Sequence, residues 1–584
     1  MKNWQMFMFL LIFSGFFLIA LDNKLAAKSV KINLHHYTTQ PLIIVPDNYT
    51  TIQAAIDDAP EEAIILVRNG TYNECLRITK PLKIYGSETA STVIKSPGGS
   101  NVVSIYASDV IFAGFQIEGK ATEGFAGIYI SQGQHNQILN NTIFGNRYGV
   151  IFWDSSNITL RNNNITNNRF NFEVWGLPLE HFLHDIDTSN LIEGKPIYYL
   201  VNQRNISVPV NAGYLAIVNS SDITIKDLNI SNNSQGVLVA YSDSIIIQDV
   251  TSNNNLRGIH MVASNHSIIT QSNFYDNDIG ILLDLSSYNN VSENNFMNNR
   301  QGIMLSYSSL FDPRSVENCI CKNKIIHNGD GIMLSNTLRN KFYRNEIINN
   351  TRYGVLASSS NYNVFCENVF LTNAKGICFQ KSNGNLVYNN NFINNTSQTD
   401  IDYASLNDWN LSQYVGGNYW SDDTITDVDS DGINDKPYSI GNFNIDYHPL
   451  AGTFLNHSII WQNEEYFIAA ITNSTEHIFH FLPDERTVNF TFGDANHTFG
   501  FCRLTIPKRL LSDFWQDNFT ILIDGELPSN ISMWEDDESI YVYLTYSHPQ
   551  SQVQLIPELS PRAFLALFIA LSAIIFNLKK AAKC

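Results

Sequence analysis

Three groups of side chains in this sequence have the types and spacing for chemistry. The first is Asp427-Val-Asp429-Ser-Asp431-Gly432-Ile433-Asn434-Asp435. Carboxylates at alternate positions, then a glycine for a sharp turn, are what an oxygen-liganded Ca2+ loop requires. Asp427, Asp429 and Asp431 are the expected ligands, joined by the Ile433 carbonyl and Asp435. Position twelve is Tyr438, where such a loop carries a bidentate acid, so either Asp422, Asp423 or Asp446 completes the site or the loop binds weakly; an unliganded acidic turn is the alternative. The ion's expected role is structural. The second group is His181, His184, Asp185 and Asp187, two His and two Asp within seven residues, a candidate transition-metal site. The competing reading is a loop whose polar groups are satisfied locally. The third is a column of charge: Arg147, Arg257, Arg300, Arg352 and Lys375, with Asp278 and Asp330 interleaved. With Tyr148, Tyr353 and Trp153 these cations form a candidate substrate-binding group, able to hold an anionic glycan by charge and stacking. A solvated face of alternating charge is the alternative.

The elements that must position these groups are written in a repeat. Gly127, Gly149, Gly236, Gly258, Gly280, Gly302, Gly331, Gly354 and Gly376 are each followed by Ile or Val, and most steps between neighbours are 22 residues. Asparagines recur three residues before (Asn146, Asn255, Asn277, Asn299, Asn328, Asn373) and eight before (Asn141, Asn294, Asn323, Asn368). Within a repeat, apolar residues alternate with polar ones, which is strand periodicity. At about 3.3 Å per residue, such a repeat holds roughly three short strands and their turns, one closed coil of a parallel β-helix. Asn tolerates the left-handed conformation of a sharp turn, and its amide can bond the amide of the next coil as a ladder. The asparagines are therefore read as structural, not as ligands.

The period fails in three places: at 176–212, at the 29-residue step near Pro313, and in the acidic loop after the last coil. The expected organisation is a signal peptide over 1–27, a β-helix with a short N-terminal capping helix over 45–415, and a Gly/Asp-rich closing segment over 416–452. A β-sandwich over 454–556 and a transmembrane anchor over 563–578 follow. The fold class is thus all-β, a parallel β-helix of about 22 residues per coil followed by a β-sandwich and a C-terminal transmembrane helix. A net charge of −19 argues against nucleic acid as a partner. About twenty Asn-x-Ser/Thr sequons fit an extracellular location. The seven cysteines are scattered, and are expected as free thiols in the coil interior.

Ile52-Gln53-Ala54-Ala55-Ile56 with Asn69-Gly70-Thr71-Tyr72 resembles the start of pectin-lyase-like right-handed β-helices. The Gly-(Ile/Val)…Asn repeats resemble those of NosD-type proteins, and Gly417-Asn418-Tyr419-Trp420 through Asp446-Tyr447-His448-Pro449 resembles the segment that closes their helix. The segments Asp187…Gly194-Lys195-Pro196 and Gly500-Phe501-Cys502…Pro507 are similar to those of archaeal cell-surface members. The resemblance implies a right-handed helix at the cell surface and leaves the activity open. The motif set of β-helix polygalacturonases does not appear, and no acid cluster is visible beside Arg300 or Arg352. The leading expectation is therefore a membrane-anchored surface protein that binds polysaccharide or cell-envelope components without catalysis. The alternatives are a carbohydrate lyase or glycoside hydrolase on this scaffold, and a NosD-like accessory in copper-site maturation. No organic cofactor is expected.

Overall fold

The computed structural model describes residues 41–306, 315–494 and 498–558. The period becomes a stack of coils in which each strand pairs in parallel with a strand one repeat on. Ile128 lies beside Val150 and Phe172, and Ile259 beside Ile281 and Ile303. Ladders of seven and five strands line the first half of the solenoid, and two ladders of nine strands line the second. A ladder of sixteen strands runs through both.

The halves meet at the first break in the period. Leu191–Ile192 extends one ladder and then pairs antiparallel with Lys195–Val201, which turns the chain. The next strand, Tyr214–Val218, is a wall between two cores. Tyr214, Ala216 and Val218 pack into the first, and Leu215 and Ile217 into the second. A strand buried on both faces reads as a continuous apolar run, which Tyr-Leu-Ala-Ile-Val is.

Inside each coil the apolar residues stack on their own kind. Phe370 lies 4.6 Å from Phe392, which lies 4.4 Å from Trp420, which lies 4.4 Å from Tyr438. At the corners the asparagines form buried ladders. Asn294 donates from its backbone N–H and its Nδ2 to Asn323 Oδ1, and Asn323 does the same to Asn345. The left-handed turn belongs to the residue before. Glu293, Lys322 and Glu367 have positive φ, and Asn294, Asn323 and Asn368 follow them. The two roles expected of one Asn are thus split between neighbours. A third ladder, Asn289–Asn318–Asn340–Asn363–Asn385–Asn407–Asn444, was not singled out from the sequence.

Both ends are covered, as an open sheet edge requires. The helix Ile52–Asp58 closes the first with Ile52, Ala55 and Ile56 buried, and Thr51 Oγ1 caps it by accepting from the Ala54 N–H. At the other end the antiparallel strands Tyr438–Gly441 and Asn444–Asp446 close two ladders. Asn444 Oδ1 receives the Asn407 N–H and the Trp409 indole N–H, and Asp446 Oδ2 receives the Asn418 N–H and the Trp420 indole N–H. The chain continues into two antiparallel sheets, of five and four strands, around an apolar core that includes Ile468, Phe490, Leu504 and Val542. Asn391 joins these sheets to the solenoid through two bonds with the backbone of Phe454, at 2.7 and 2.8 Å.

One element of the expected fold class is corrected. Among the described residues no helix is long and apolar enough to cross a membrane, so the expected C-terminal transmembrane helix is not part of the described fold. The segments 1–27 and 563–578 assigned to the signal and the anchor lie outside the described residues.

Candidate functional site

The outer face of the sixteen-strand ladder carries the charged column from Arg257 on, while Tyr148 and Trp153, with Arg147 just before them, belong to the five-strand ladder. The register aligns Arg257, Ile279, Gln301, Asp330, Tyr353 and Lys375, one per coil. Asp278, Arg300 and Arg352 stand one residue earlier in their coils. The cations are all engaged. Arg300 grips Asp278 with two bonds, 2.5 and 2.8 Å. Arg352 donates to Asp330 at 2.5 Å, and Lys375 Nζ lies 2.6 Å from Asp400 and 5.3 Å from the Tyr353 ring centre. Arg147 lies over the ring of Tyr148. Each of these arginines is thus paired with one of the two interleaved acids, Arg300 with Asp278 and Arg352 with Asp330.

Asp330 is unusual for an outward-facing residue because it is buried, and Arg352 with half its surface exposed lies over it. Burial pushes its carboxyl above the usual range, against the pull of Arg352. Its Oδ1 and the Oε1 of Gln301 are both buried without partners, while Gln301 Nε2 sits 2.8 Å from Met333 Sδ. Turning the amide over gives Asp330 an N–H donor, the chemically sensible arrangement.

A second cluster lies where the solenoid halves meet. Trp153 stacks on Trp175 at 5.7 Å, and Trp175 on His260 at 5.4 Å. Arg257 lies 4.8 Å from the Trp175 ring and pairs with Glu173 at 3.1 Å, a contact 84 residues apart in sequence. His260 is buried, and burial holds it neutral. Trp175, Glu173 and His260 were missed in the sequence; Trp175 stands one 22-residue period after Trp153, a signal that could have found it, whereas no spacing connects Glu173 to His260.

The four residues His181, His184, Asp185 and Asp187 are not brought together. His181 Nδ1 faces Asp154 Oδ1 at 3.2 Å, and Asp185 and Asp187 both pair with Arg161. His184 accepts from the Ile158 N–H, and burial pushes it down to about 3, so it is neutral. A cavity of about 500 Å3 opens beside it, lined also by His135, Asn157, Asp185 and Asn202.

The acidic loop holds together as a site. Ligand oxygens of Asp427, Asp429 and Asp431 lie within 4.8 Å of one another, a donor set for a hard divalent cation. Asp427 folds the loop by accepting from the N–H groups of Asp431 and Gly432, and Asp435 accepts from Val428. Burial, then mutual repulsion, raises Asp427 and Asp431. The three residues proposed to complete the site are engaged elsewhere. Asp422 accepts from Tyr438 and Asp423 from Asn434, while Asp446 ends an asparagine ladder. The Ile433 side chain packs with Leu450. Gly432 has φ +80°, and a Cβ there would meet the buried Arg503 side chain at 2.9 Å. Arg503 lies against Trp534 and Tyr541 and donates to the Tyr414 carbonyl. The loop is thereby wedged between solenoid and sandwich.

The described cysteines are free. Cys319 and Cys321 alternate with the buried Ile320, and Cys378 with Ile377 and Phe379, so these thiols face out of the coil, not into it. The interior is taken by Ile, Val, Leu and Phe, whose volumes stack from coil to coil.

Two family models match this chain. Periplasmic copper-binding protein (NosD) matches residues 184–353 and 311–424, and the right-handed β-helix region matches 84–192. No curated protein matches the sequence. Among solved structures, a periplasmic alginate epimerase is 14% identical with TM-score 0.31, covering 64% of this chain and 85% of its own. The A-module of an Azotobacter vinelandii mannuronan C-5 epimerase is 13% identical with TM-score 0.26, covering 61% and 92%. The Dettilon tailspike protein is 12% identical with TM-score 0.27, covering 88% and 93%. The expectation of a membrane-anchored, non-catalytic protein is corrected on two grounds. The described residues contain no membrane-spanning helix, and the outer face carries two arginine–carboxylate pairs, one with its carboxyl buried. Partners and location are corrected with it: the described residues offer no span for the membrane as a partner or for a plasma-membrane anchor. Period, parallel register and family matches agree that residues 84–424 carry a right-handed parallel β-helix, of the NosD type over residues 184–424.

Proposed function

We propose that this is an extracellular β-helix protein that cleaves an anionic polysaccharide at Asp278 and Asp330. The observation that carries the proposal is a buried carboxyl on the outward face, covered by an arginine, two coils from a second carboxylate held by another arginine. Two coil steps and one residue along the strand separate the backbones by about 10 Å, comparable with the roughly 6.5–9.5 Å between the carboxyls of inverting glycosidases. Asp330, raised by burial, is the general acid. Asp278 is the base that activates water. Arg352 turns from Asp330 to the carboxylate of the sugar, so an anionic substrate uncovers the acid. The test is reducing-end release from a panel of anionic polysaccharides. Asp330→Asn and Asp278→Asn are expected to abolish it while binding persists. Unsaturated product from the wild type would replace hydrolysis by elimination, and full activity in both variants would remove the assignment.

The acidic loop supports a second role. We propose that Asp427, Asp429 and Asp431 hold Ca2+, with the Ile433 carbonyl and Asp435 as further oxygens, and that the ion fixes the joint between solenoid and sandwich. Copper handling gains no support from this donor set, because the cluster of three or more ligating side chains among the described residues is all oxygen.

A further inference from the structure

The polysaccharide track extends beyond the proposed cleavage point, and we infer that the aromatic column on the first half of the solenoid is where the chain is held. The inference rests on the proposed cleavage of an anionic polysaccharide. The register places Ser131, Trp153 and Trp175 side by side on successive coils. Tyr106, one residue past the strand Val103–Ile105, continues the column on the coil before. Tyr106 and Trp153 are 43% and 39% exposed, large values for rings on a sheet face. Trp175 is fixed from behind, with Arg257 over its ring and Glu173 holding Arg257.

The column does not stop there. Arg257 is itself in register with Gln301 and Asp330, three coils or about 14 Å further on. From Tyr106 to Trp175 is another three coils. Through Arg257, which lies over the Trp175 ring, the ring column thus meets the column of the proposed acid. Cations sit along these columns, Arg77 over Tyr106 at 5.1 Å and Arg352 over Asp330, on a protein of net charge −19. Apolar ring faces suit the C–H faces of sugar rings, and the arginines suit their carboxylates. The occupant that needs both, aligned with a cleavage site, is an anionic polysaccharide chain laid parallel to the solenoid axis.

The test is kcat and KM against oligosaccharides of increasing length from one cleaved polymer, for wild type, Trp153→Ala and Tyr106→Ala. Neither side chain is buried, and circular dichroism checks that the coils remain. The expected result is a rise in KM of about tenfold for long substrates, the loss of one good stacking contact. Short substrates and kcat stay unchanged. Equal KM for all lengths in wild type and variants would overturn the track and leave cleavage at Asp330 standing. A wild type that neither binds nor cleaves any anionic polysaccharide would overturn both. Concentration-dependent dimerisation lost in Trp153→Ala would reassign the column to a second copy of this chain.

Discussion

Replacing Asp446 by Asn tests how the solenoid is closed. The carboxylate is buried and accepts four N–H bonds. Asn418 N, Asn418 Nδ2 and Trp420 Nε1 reach Oδ2 at 2.8, 3.3 and 3.0 Å, and His448 N reaches Oδ1 at 3.1 Å. Burial opposes these donors and pushes the carboxyl up to about 7 from an ordinary 3.8. A group raised on folding stabilises fully below its unfolded value and loses that stability as pH rises through the folded one. At about 1.4 kcal/mol per unit, ionisation between pH 4 and pH 8 costs about 4 kcal/mol. The Asn variant keeps the three bonds at one oxygen but sets its NH2 against the His448 N–H, a cost of about 1–3 kcal/mol at every pH. The wild type is therefore the more stable at pH 4, and the variant gains on it by up to about 4 kcal/mol by pH 8. Hydrogen exchange at the Asn418 and Trp420 backbone amides measures this locally, without treating the whole chain as one cooperative unit. Parallel pH profiles, or a wild type that gains with pH, would refute the reasoning and mean that the four donors outweigh burial.

Other consequences are as direct. Asn323→Leu, in the middle of a ladder, strands the donors of Asn294 and the Val291 carbonyl; a loss of about 2–5 kcal/mol by denaturant unfolding is expected, and one under about 1 kcal/mol would demote the ladder to decoration. Gly432→Ala meets both a positive φ and Arg503; about 1–3 kcal/mol should be lost, and crystallography should find Arg503 displaced. Removing Ca2+ with EGTA should lower the melting temperature of the wild type and not of Asp429→Asn; an unchanged wild type rejects the ion. Because burial raises Asp427 and Asp431, the ion-free loop should lose stability as pH rises above the ordinary carboxylate range, and Ca2+ should abolish that loss.

The coils were legible because each side chain in the period meets its own counterpart one repeat away, so local sequence already states the tertiary contact. Asp278 and Arg300 belong to this class at 22 residues apart. What the period could not state was which neighbour takes the strained turn. Lys322 has positive φ although Asn323 beside it is the residue that recurs. Nor could it reach contacts made where the period breaks: Glu173 meets Arg257 only because the chain reverses after Ile192. Outward-facing cysteines were misplaced because Cys-Ile-Cys alternates equally well with either face inward; the packing of Ile320 decides it.

The asparagine ladders have a direction. Each amide receives from the coil before and gives to the coil after, and Asp446, with no hydrogen left to give, is the natural last member. Any whole coil between can be excised or duplicated and the neighbours find the same partners. Length is therefore an adjustable quantity in this scaffold, stepped in units of about 4.8 Å. Each step taken between Arg257 and Asp330 would move the aromatic column one notch away from the proposed acid. The solenoid is in this sense a ruler, and its graduations are the coils.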